Sequence, residues 1–307
     1  MKMLMGIDGG GTKTSYSLAD ENGNIVLTQV GMGCSYKQHG FEAVLTEMAT
    51  QVAALLRKAN CGSAQVLGAC VGLPCYGEAP AEDARFAESL RRALHPIPLH
   101  IVNDAEIGWA GSLAGQPGIN VVAGTGSIAF GVDGSGHQAR CGGWSWVFGD
   151  EGSCHWAGRK VMELFTKEAD YRLPKGPLYT MVMEEFALTE ETAFIPLMEN
   201  DYYPVREKTA ALQKLLGKAA AAGDDNAVAV YQQAAEELAL MVKGVERQLT
   251  LTAPVQISYS GGIFHAGELI LHPLKNLLPA PAYTLMPPAF SPDYGSVLLA
   301  HRYFVPK

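Results

Sequence analysis

Seven consecutive residues, Asp8-Gly9-Gly10-Gly11-Thr12-Lys13-Thr14, bring together a carboxylate, three glycines, two hydroxyls and an ammonium. Glycine without a Cβ lets backbone N–H groups close on an anion, and the hydroxyls of Thr12 and Thr14 and the ammonium of Lys13 add donors. The anion this chemistry suits is the phosphate tail of a nucleotide. Asp8 is placed to hold hydrated Mg²⁺, a hard cation that prefers carboxylate and water. The same grammar returns 113 positions later. Gly11-Thr12, seven residues, Asp20, two residues, Gly23 is matched by Gly124-Thr125, seven residues, Asp133, two residues, Gly136. Each stretch follows a short apolar run, so each reads as strand, glycine turn, strand and polar hairpin turn. Either stretch by itself is also explained by a glycine-rich hairpin with no ligand; the second copy weighs against that and for a duplicated domain whose glycine turns face a cleft. Neither a Gly-x-x-x-x-Gly-Lys-[Ser/Thr] loop nor a spaced Gly-x-Gly-x-x-Gly before a helix is present.

Four further stretches could carry chemistry, each with a plainer alternative. Asn103-Asp104 closes a short apolar run and precedes a helix-like segment. A carboxylate at the C-terminal end of a strand points into the ligand crevice of an α/β sheet and can take a proton from an attacking hydroxyl; local sequence by itself favours Asp104 as the N-cap of the following helix. Gly142-Gly143-Trp144 and Gly149-Asp150-Glu151-Gly152-Ser153 are dense in glycine and acid. Asp150 or Glu151 could accept hydrogen bonds from sugar hydroxyls and Trp144 or Trp146 could stack on a sugar ring, or the segment is a turn into a helix capped at Ser153 with the tryptophans in the core. Ser260-Gly261-Gly262 ends another strand, where a flat base or ribose could lie on bare backbone, or where the chain simply turns. His137, His155 and His265 have no ligand-like spacing and read as surface or capped residues.

The elements that must position these residues follow from periodicity. Strands are expected over 2–7, 13–19, 25–30, 66–73 and 99–102, and again over 119–123, 127–132, 137–141 and 255–259. Helices are expected over 41–59 and 80–94, the latter with Pro80 near its start, then over 105–111, 209–222 and 226–250, with a last one from about Pro292. Strands alternating with helices make this an α/β chain. The expected divisions are 1–114, 115–290 with a mostly helical insertion over about 154–250, and 291–307 as a closing helix returning to the first domain.

The chain has 307 residues, 48% of them apolar, enough for two buried sheets. A net charge of −8 with no basic tract argues against nucleic acid as the main partner. No apolar run approaches the ~20 residues of a membrane span, and Asp8 and the glycines cut short the apolar start, so a cytoplasmic protein with no membrane partner is expected. The six cysteines form no Cys-x-x-Cys pair and read as reduced, mostly buried thiols, without structural zinc.

Taken in order, Asp8 to Thr14, Val102-Asn103-Asp104-Ala105, Ala123 to Ser127, Gly142-Gly143-Trp144, Gly149 to Ser153, Ser260 to Gly262 and the closing Pro292-Asp293-Tyr294-Gly295-Ser296 resemble the N-acetylglucosamine kinase branch of the actin-like ATPase superfamily, grouped with the BadF/BadG/BcrA/BcrD ATPases. The resemblance implies a duplicated ribonuclease H-like, two-domain fold with an interdomain cleft, ATP and Mg²⁺ as cofactors, a small-molecule sugar as substrate, and is compatible with a homodimer. It implies that Gly10, Gly11, Thr12, Lys13 and Thr14 form a first phosphate loop and Gly124, Thr125, Gly126 and Ser127 a second. Gly261 and Gly262 would line the adenosine site. Asp104 would be the catalytic base, with Gly143, Trp144, Ser145 and Asp150 as sugar contacts and transfer to the 6-hydroxyl. Two stretches depart from the family pattern: Gly33-Cys34-Ser35-Tyr36, where relatives have a sugar-contacting Asn, and Leu73-Pro74-Cys75-Tyr76-Gly77, where they have a small Ser- or Ala-Gly segment. Both fall on the expected sugar side, and Tyr36 would bring bulk and a hydroxyl to the pocket around the C2 substituent. Two other readings stand beside the kinase. One is an ATPase that activates a partner enzyme by electron transfer, whose paired cluster-binding cysteines are not evident here. The other is a sugar-sensing regulator, whose DNA-binding segment and zinc motif are likewise not evident.

Overall fold

The computed structural model describes residues 2–306 as two compact units. One runs from the start to Pro117 and resumes at Pro288; the other is Gly118–Pro287. The first unit is built on a five-stranded sheet of β1 (Met3–Gly9), β2 (Lys13–Asp20), β3 (Ile25–Met32), β4 (Val66–Leu73) and β5 (Leu99–Asn103) in the order β3-β2-β1-β4-β5. The second holds β6 (Gly118–Ala123), β7 (Ser127–Val132), β8 (Gln138–Gly142), β9 (Val255–Ser260) and β10 (Tyr283–Met286) in the order β10-β9-β6-β7-β8. Read from the opposite edge, the second order is the first one repeated. The pairing senses repeat too: antiparallel for β1/β2, β2/β3, β6/β7 and β7/β8, parallel for β1/β4, β4/β5, β6/β9 and β9/β10.

The duplicated hairpin extends to single hydrogen bonds. The Gly23 N–H donates to the Asp20 carbonyl and the Gly136 N–H to the Asp133 carbonyl, both at 3.0 Å. Asp20 Oδ1 accepts from the N–H groups of Asn22 and Asn24, and Asp133 Oδ1 from those of Ser135 and His137. The glycine turns differ by one residue. Gly10 to Lys13 separate the facing pair Gly9 and Thr14, whereas only Gly124 to Gly126 separate Ala123 and Ser127. Thr12 is therefore third in its turn and Thr125 second in its own, although the two are in step in the sequence.

Side-chain alternation along β1 sorts its two faces. Met3, Met5 and Ile7 enter a core with Val44, Met48, Val52 and Leu55 of helix Phe41–Lys58 and Phe86 and Leu90 of helix Pro80–Ala93. On the other face a Cβ at Gly6 would run into Ser296 and Val297 of helix Pro292–Phe304. That helix also crosses helix Asp104–Ser112 at bare backbone: a side chain at Gly295 would meet the Ile107 carbonyl and the Gly111 N–H. Between β8 and β9 the second unit is mostly helical, from Cys154–Ala169 through Asp225–Glu246, the latter packed on β6, β7 and β8. The single helix expected over 209–222 is two, Arg206–Ala211 and Gln213–Ala221. Among the described residues no helix is long and apolar enough to cross a membrane. All six cysteines are free, with Cys34, Cys70 and Cys154 buried and Cys61, Cys75 and Cys141 half-buried.

Gly295→Val should cost about 1–3 kcal/mol through overpacking at the helix crossing, since backbone rather than a flexible side chain occupies the space. Chemical denaturation should show this as a lower midpoint with an unchanged slope; an unaltered midpoint would mean that the two helices can separate freely.

Candidate active site

The first glycine turn rests on backbone. A Cβ at Gly33, just past β3, would overlap the Gly11 carbonyl, and the Cys34 N–H donates to the Gly10 carbonyl at 3.0 Å. The Gly10 N–H closes the turn on the Lys13 carbonyl at 2.9 Å. Among the described residues the N–H groups of Gly11 and Thr12 donate to no other backbone group outside the strand ladders, and Thr12 and Lys13 are exposed. This leaves donors free for an anion. Thr14 is different: it is fully buried on β2, beside Cys34 and Tyr16. Alternation explains this, because Thr14, Tyr16 and Leu18 share the inward face of β2.

Asp8 lies near the end of β1 and Asp104 just past the end of β5, with β4 between the two strands. Burial lifts the Asp8 carboxyl to about 6, Asp293 adds to the rise and Lys13 opposes it. Burial lifts Asp104 to about 7, with Asp8 the next contribution and the N–H of Ala105 pulling the other way. The helix after β5 is not capped by Asp104. Asn103 is the N-cap: its Oδ1 accepts the Ala105 N–H at 2.9 Å, while its Nδ2 donates to the Tyr76 carbonyl at 2.8 Å. Asp104 is the first helical residue, and its carboxylate is left uncommitted to capping. Cys34 lies close enough for both carboxylates to raise it, and burial chiefly pushes its thiol to about 12, which makes it inert.

No group of three or more His, Cys, Asp or Glu side chains able to hold a metal occurs among the described residues. A cage made wholly of protein does not fit. A hard cation held by Asp8, water and phosphate oxygens does fit, because Mg²⁺ keeps several waters and takes only one or two carboxylates.

The Tyr36 side chain is not where the sequence suggested. It is buried against Phe86, with ring centroids 4.5 Å apart, and its hydroxyl donates to the Asp83 carboxylate. Asp83 in turn accepts the N–H groups of Gly77 at 2.8 Å and Ala79 at 3.2 Å. Tyr36 and Asn103 therefore fix the segment after β4 from two sides, and the Tyr36 hydroxyl is not available to a ligand.

In the second unit, turn 124–126 is tied to the acidic loop. The Cys154 N–H donates to the Gly124 carbonyl at 2.8 Å, the Gly143 N–H to the Ser127 carbonyl at 2.9 Å and Ser127 Oγ to the Glu151 carbonyl at 2.6 Å. No protein atom lies within 4 Å of where a Gly124 Cβ would stand. Gly261 has φ of 110° and lies against the Ala123–Gly124 backbone, so the glycine is demanded by a left-handed φ and by contact with this turn. Gly262 sits over Cys154. Trp144 is 73% exposed and Phe148 74%, which removes Trp144 from the core; Trp146 is half-buried and meets His155 edge-on at 5.3 Å. Ser145 is half-buried, its carbonyl accepting the Gly149 N–H. Ser153 does cap the helix that follows, with Oγ accepting the Trp156 N–H at 3.1 Å. His155 is buried, not a surface residue, and burial with Arg206 and Arg159 lowers it to about 4.

The model of the BadF/BadG/BcrA/BcrD ATPase family matches residues 5–300. The chain belongs to that family. ATP is the nucleotide that membership in this ATPase family implies. The chain is similar to the N-acetylmuramic acid/N-acetylglucosamine kinase of Clostridium acetobutylicum, 29% identical over 267 residues and 86% of each chain. It is also similar to the N-acetyl-D-glucosamine kinase of Dictyostelium discoideum, 25% identical over 97% of this chain and 98% of that one. Among solved structures, a proposed N-acetylglucosamine kinase of Chromobacterium violaceum superposes with a TM-score of 0.77 at 24% identity, covering 98% of this chain and 99% of the other, which shows the shared fold.

The raised Asp104 carboxyl gives a stability signature for this family member that is independent of any substrate. A group raised above its unfolded value of about 3.9 contributes stability fully below that value and loses it as pH rises through the folded value. Asp104→Asn should thus raise the melting temperature at pH 8, with the gain shrinking as pH falls through 7 and vanishing near 4. A difference that does not vary with pH would show that Asp104 is not held in a desolvated setting.

Proposed function

We propose that the protein is an ATP- and Mg²⁺-dependent sugar kinase that phosphorylates N-acetylglucosamine, glucosamine or a related hexose at the 6-hydroxyl, with Asp104 as general base. The observation that carries this is the half-buried Asp104 carboxylate at the end of β5, raised to about 7 and relieved of capping by Asn103. A base poised near neutral pH accepts a hydroxyl proton with the least loss in either protonation state. The two similar proteins named as N-acetylglucosamine kinases support the substrate class.

In this reading the sugar hydroxyl donates its proton to Asp104 as its oxygen forms a bond to the γ-phosphorus. The bond from that phosphorus to the β,γ-bridging oxygen breaks and ADP leaves. The free N–H groups of Gly11 and Thr12, the Thr12 hydroxyl and Lys13 bind phosphate oxygens, as do the N–H groups of Gly124, Thr125 and Gly126 and the Thr125 hydroxyl. Ser127, whose hydroxyl is engaged by the Glu151 carbonyl, shapes this second turn. Asp8 would hold hydrated Mg²⁺, which would supply positive charge that offsets the charge on the phosphates. Gly261 and Gly262 offer bare backbone to the adenosine. Gly143, Trp144, Ser145 and Asp150 contact the sugar, with Trp144 exposed and able to stack on it. Tyr36 acts on the sugar side only by fixing the 77–79 backbone, so strict demand for the N-acetyl group is not expected.

Coupled ADP-release assays should show sugar-dependent turnover with N-acetylglucosamine, glucosamine or glucose. Asp104→Asn should lower that turnover by about 10²–10⁴-fold while ATP affinity stays near wild type. Steady ATP hydrolysis that ignores every sugar, or a variant keeping more than about a tenth of wild-type turnover, would sink the kinase reading or the base assignment respectively.

Gly124→Val is a clean probe of the second turn, because a Cβ there stands in open space and its φ is not left-handed. It should fold with stability within about 0.5 kcal/mol of wild type. Calorimetric ATP affinity should fall at least about tenfold, the equivalent of ~1.4 kcal/mol. Unchanged affinity would remove this turn from the nucleotide site.

A further inference from the structure

Arg206 is the first residue of helix Arg206–Ala211, at the end where a cation opposes the helix dipole. Its Nη2 donates to Asp150 Oδ2 at 2.5 Å, across 56 residues. Its Nε is buried with no acceptor among the described residues, so Asp150 is the anion that holds it. Asp150 has φ of +56°, a left-handed backbone that a non-glycine residue adopts only under constraint, and it is buried. The pair presses on the second glycine turn: a Cβ at Gly126 would collide with Arg206 Nη2 and lie 2.7 Å from Asp150 Oδ2.

We propose that Arg206 is a positioning residue for the sugar site: it fixes the Asp150 carboxylate against the 124–127 turn and keeps it a hydrogen-bond acceptor for sugar hydroxyls. The inference rests on the kinase reading, in which Asp150 contacts the sugar. The groups facing Asp150 are few. Burial raises its carboxyl, Arg206 is the largest opposing influence, the Ser127 N–H opposes as well and the neighbouring Glu151 adds to the rise. His155, on the next helix, stays neutral, with Arg206, Arg159 and Glu207 the charged groups around it. Without Arg206 the carboxyl would be a desolvated acid beside Glu151, protonated over more of the neutral range, and a protonated carboxyl offers one acceptor fewer.

The test uses the full chain as R206M, R206K, D150N and R206M/D150N. Sugar KM and kcat are measured from pH 6 to 9, ATP affinity by calorimetry, and melting temperature from pH 5 to 8. R206M should raise the sugar KM at least tenfold at pH 7, change kcat less than threefold and leave ATP affinity unchanged. The KM deficit should shrink as pH rises and Asp150 ionises again, and R206K should restore part of it. In melting, removing Arg206 raises the folded value of Asp150 further above its unfolded one, so stability is lost as pH rises. The gap between wild type and R206M should widen from pH 5 to 8 and become flat in the D150N background. If R206M does not fold, R206K carries both arms with smaller effects of the same sign. A sugar KM that tracks wild type at every pH, or a melting gap independent of pH, would overturn the proposal and leave an ordinary structural ion pair. Wild type inactive on every sugar would instead overturn the kinase reading, and the melting arm would still decide whether Arg206 governs Asp150.

Discussion

The site in the first unit depends on one division of labour between adjacent residues. The helix after β5 needs a cap for its free N–H groups, and Asn103 supplies it. The same amide holds the Tyr76 carbonyl, so one side chain ends a strand, starts a helix and anchors the segment after β4. Asp104 is thereby spared. Its carboxylate stays beside Asp8 in a desolvated setting that costs stability, and the neighbouring core must offset the cost. Were Asp104 the cap, further N–H groups would add to the pull of the Ala105 N–H on its carboxylate and blunt it as a proton acceptor near neutral pH.

Around that arrangement the sheet is built so that backbone meets backbone. Gly33 supports the first glycine turn, Gly261 supports the second, and Gly111 and Gly295 let two helices touch. Such contacts leave little room for adjustment, because the occupying atoms are main chain. They give the turns fixed shapes while leaving their N–H groups unspent, which is the condition for preorganised anion binding.

The second unit repeats the strand order and pairing of the first and then adds a long helical segment between β8 and β9. That segment contributes more than packing. It sends Arg206 back to the Asp150 loop, so the acidic loop and the second glycine turn are tied to a helix far along the chain. A half-buried ion pair is weak evidence for stability, since desolvation of the buried carboxylate works against the attraction. Its position at a strained backbone argues for a role in geometry.

The sequence by itself determined most of the elements and the family; strand β10 and helix Glu268–Leu277 were not among the elements expected. Both strand–turn–strand repeats, the α/β class and the matching motifs were legible because hairpin turns, strand alternation and helix periodicity are local: the Oδ1 atoms of Asp20 and Asp133 accept only N–H groups two and four residues away. Tertiary structure decided how individual polar groups are spent. Local rules favoured Asp104 as the helix cap, yet Asn103 takes that role and reaches Tyr76, 27 residues away. Tyr36 read as a pocket residue until its hydroxyl found Asp83, 47 residues on. Thr14 lost its place on the turn to strand alternation, and His155 went inside. Arg206 carried no local signal at all; among charged residues in a helical stretch, only a partner 56 residues away marks it out. Hydrogen-bonding groups choose among acceptors by proximity in space, and proximity in space is what periodicity and composition do not encode.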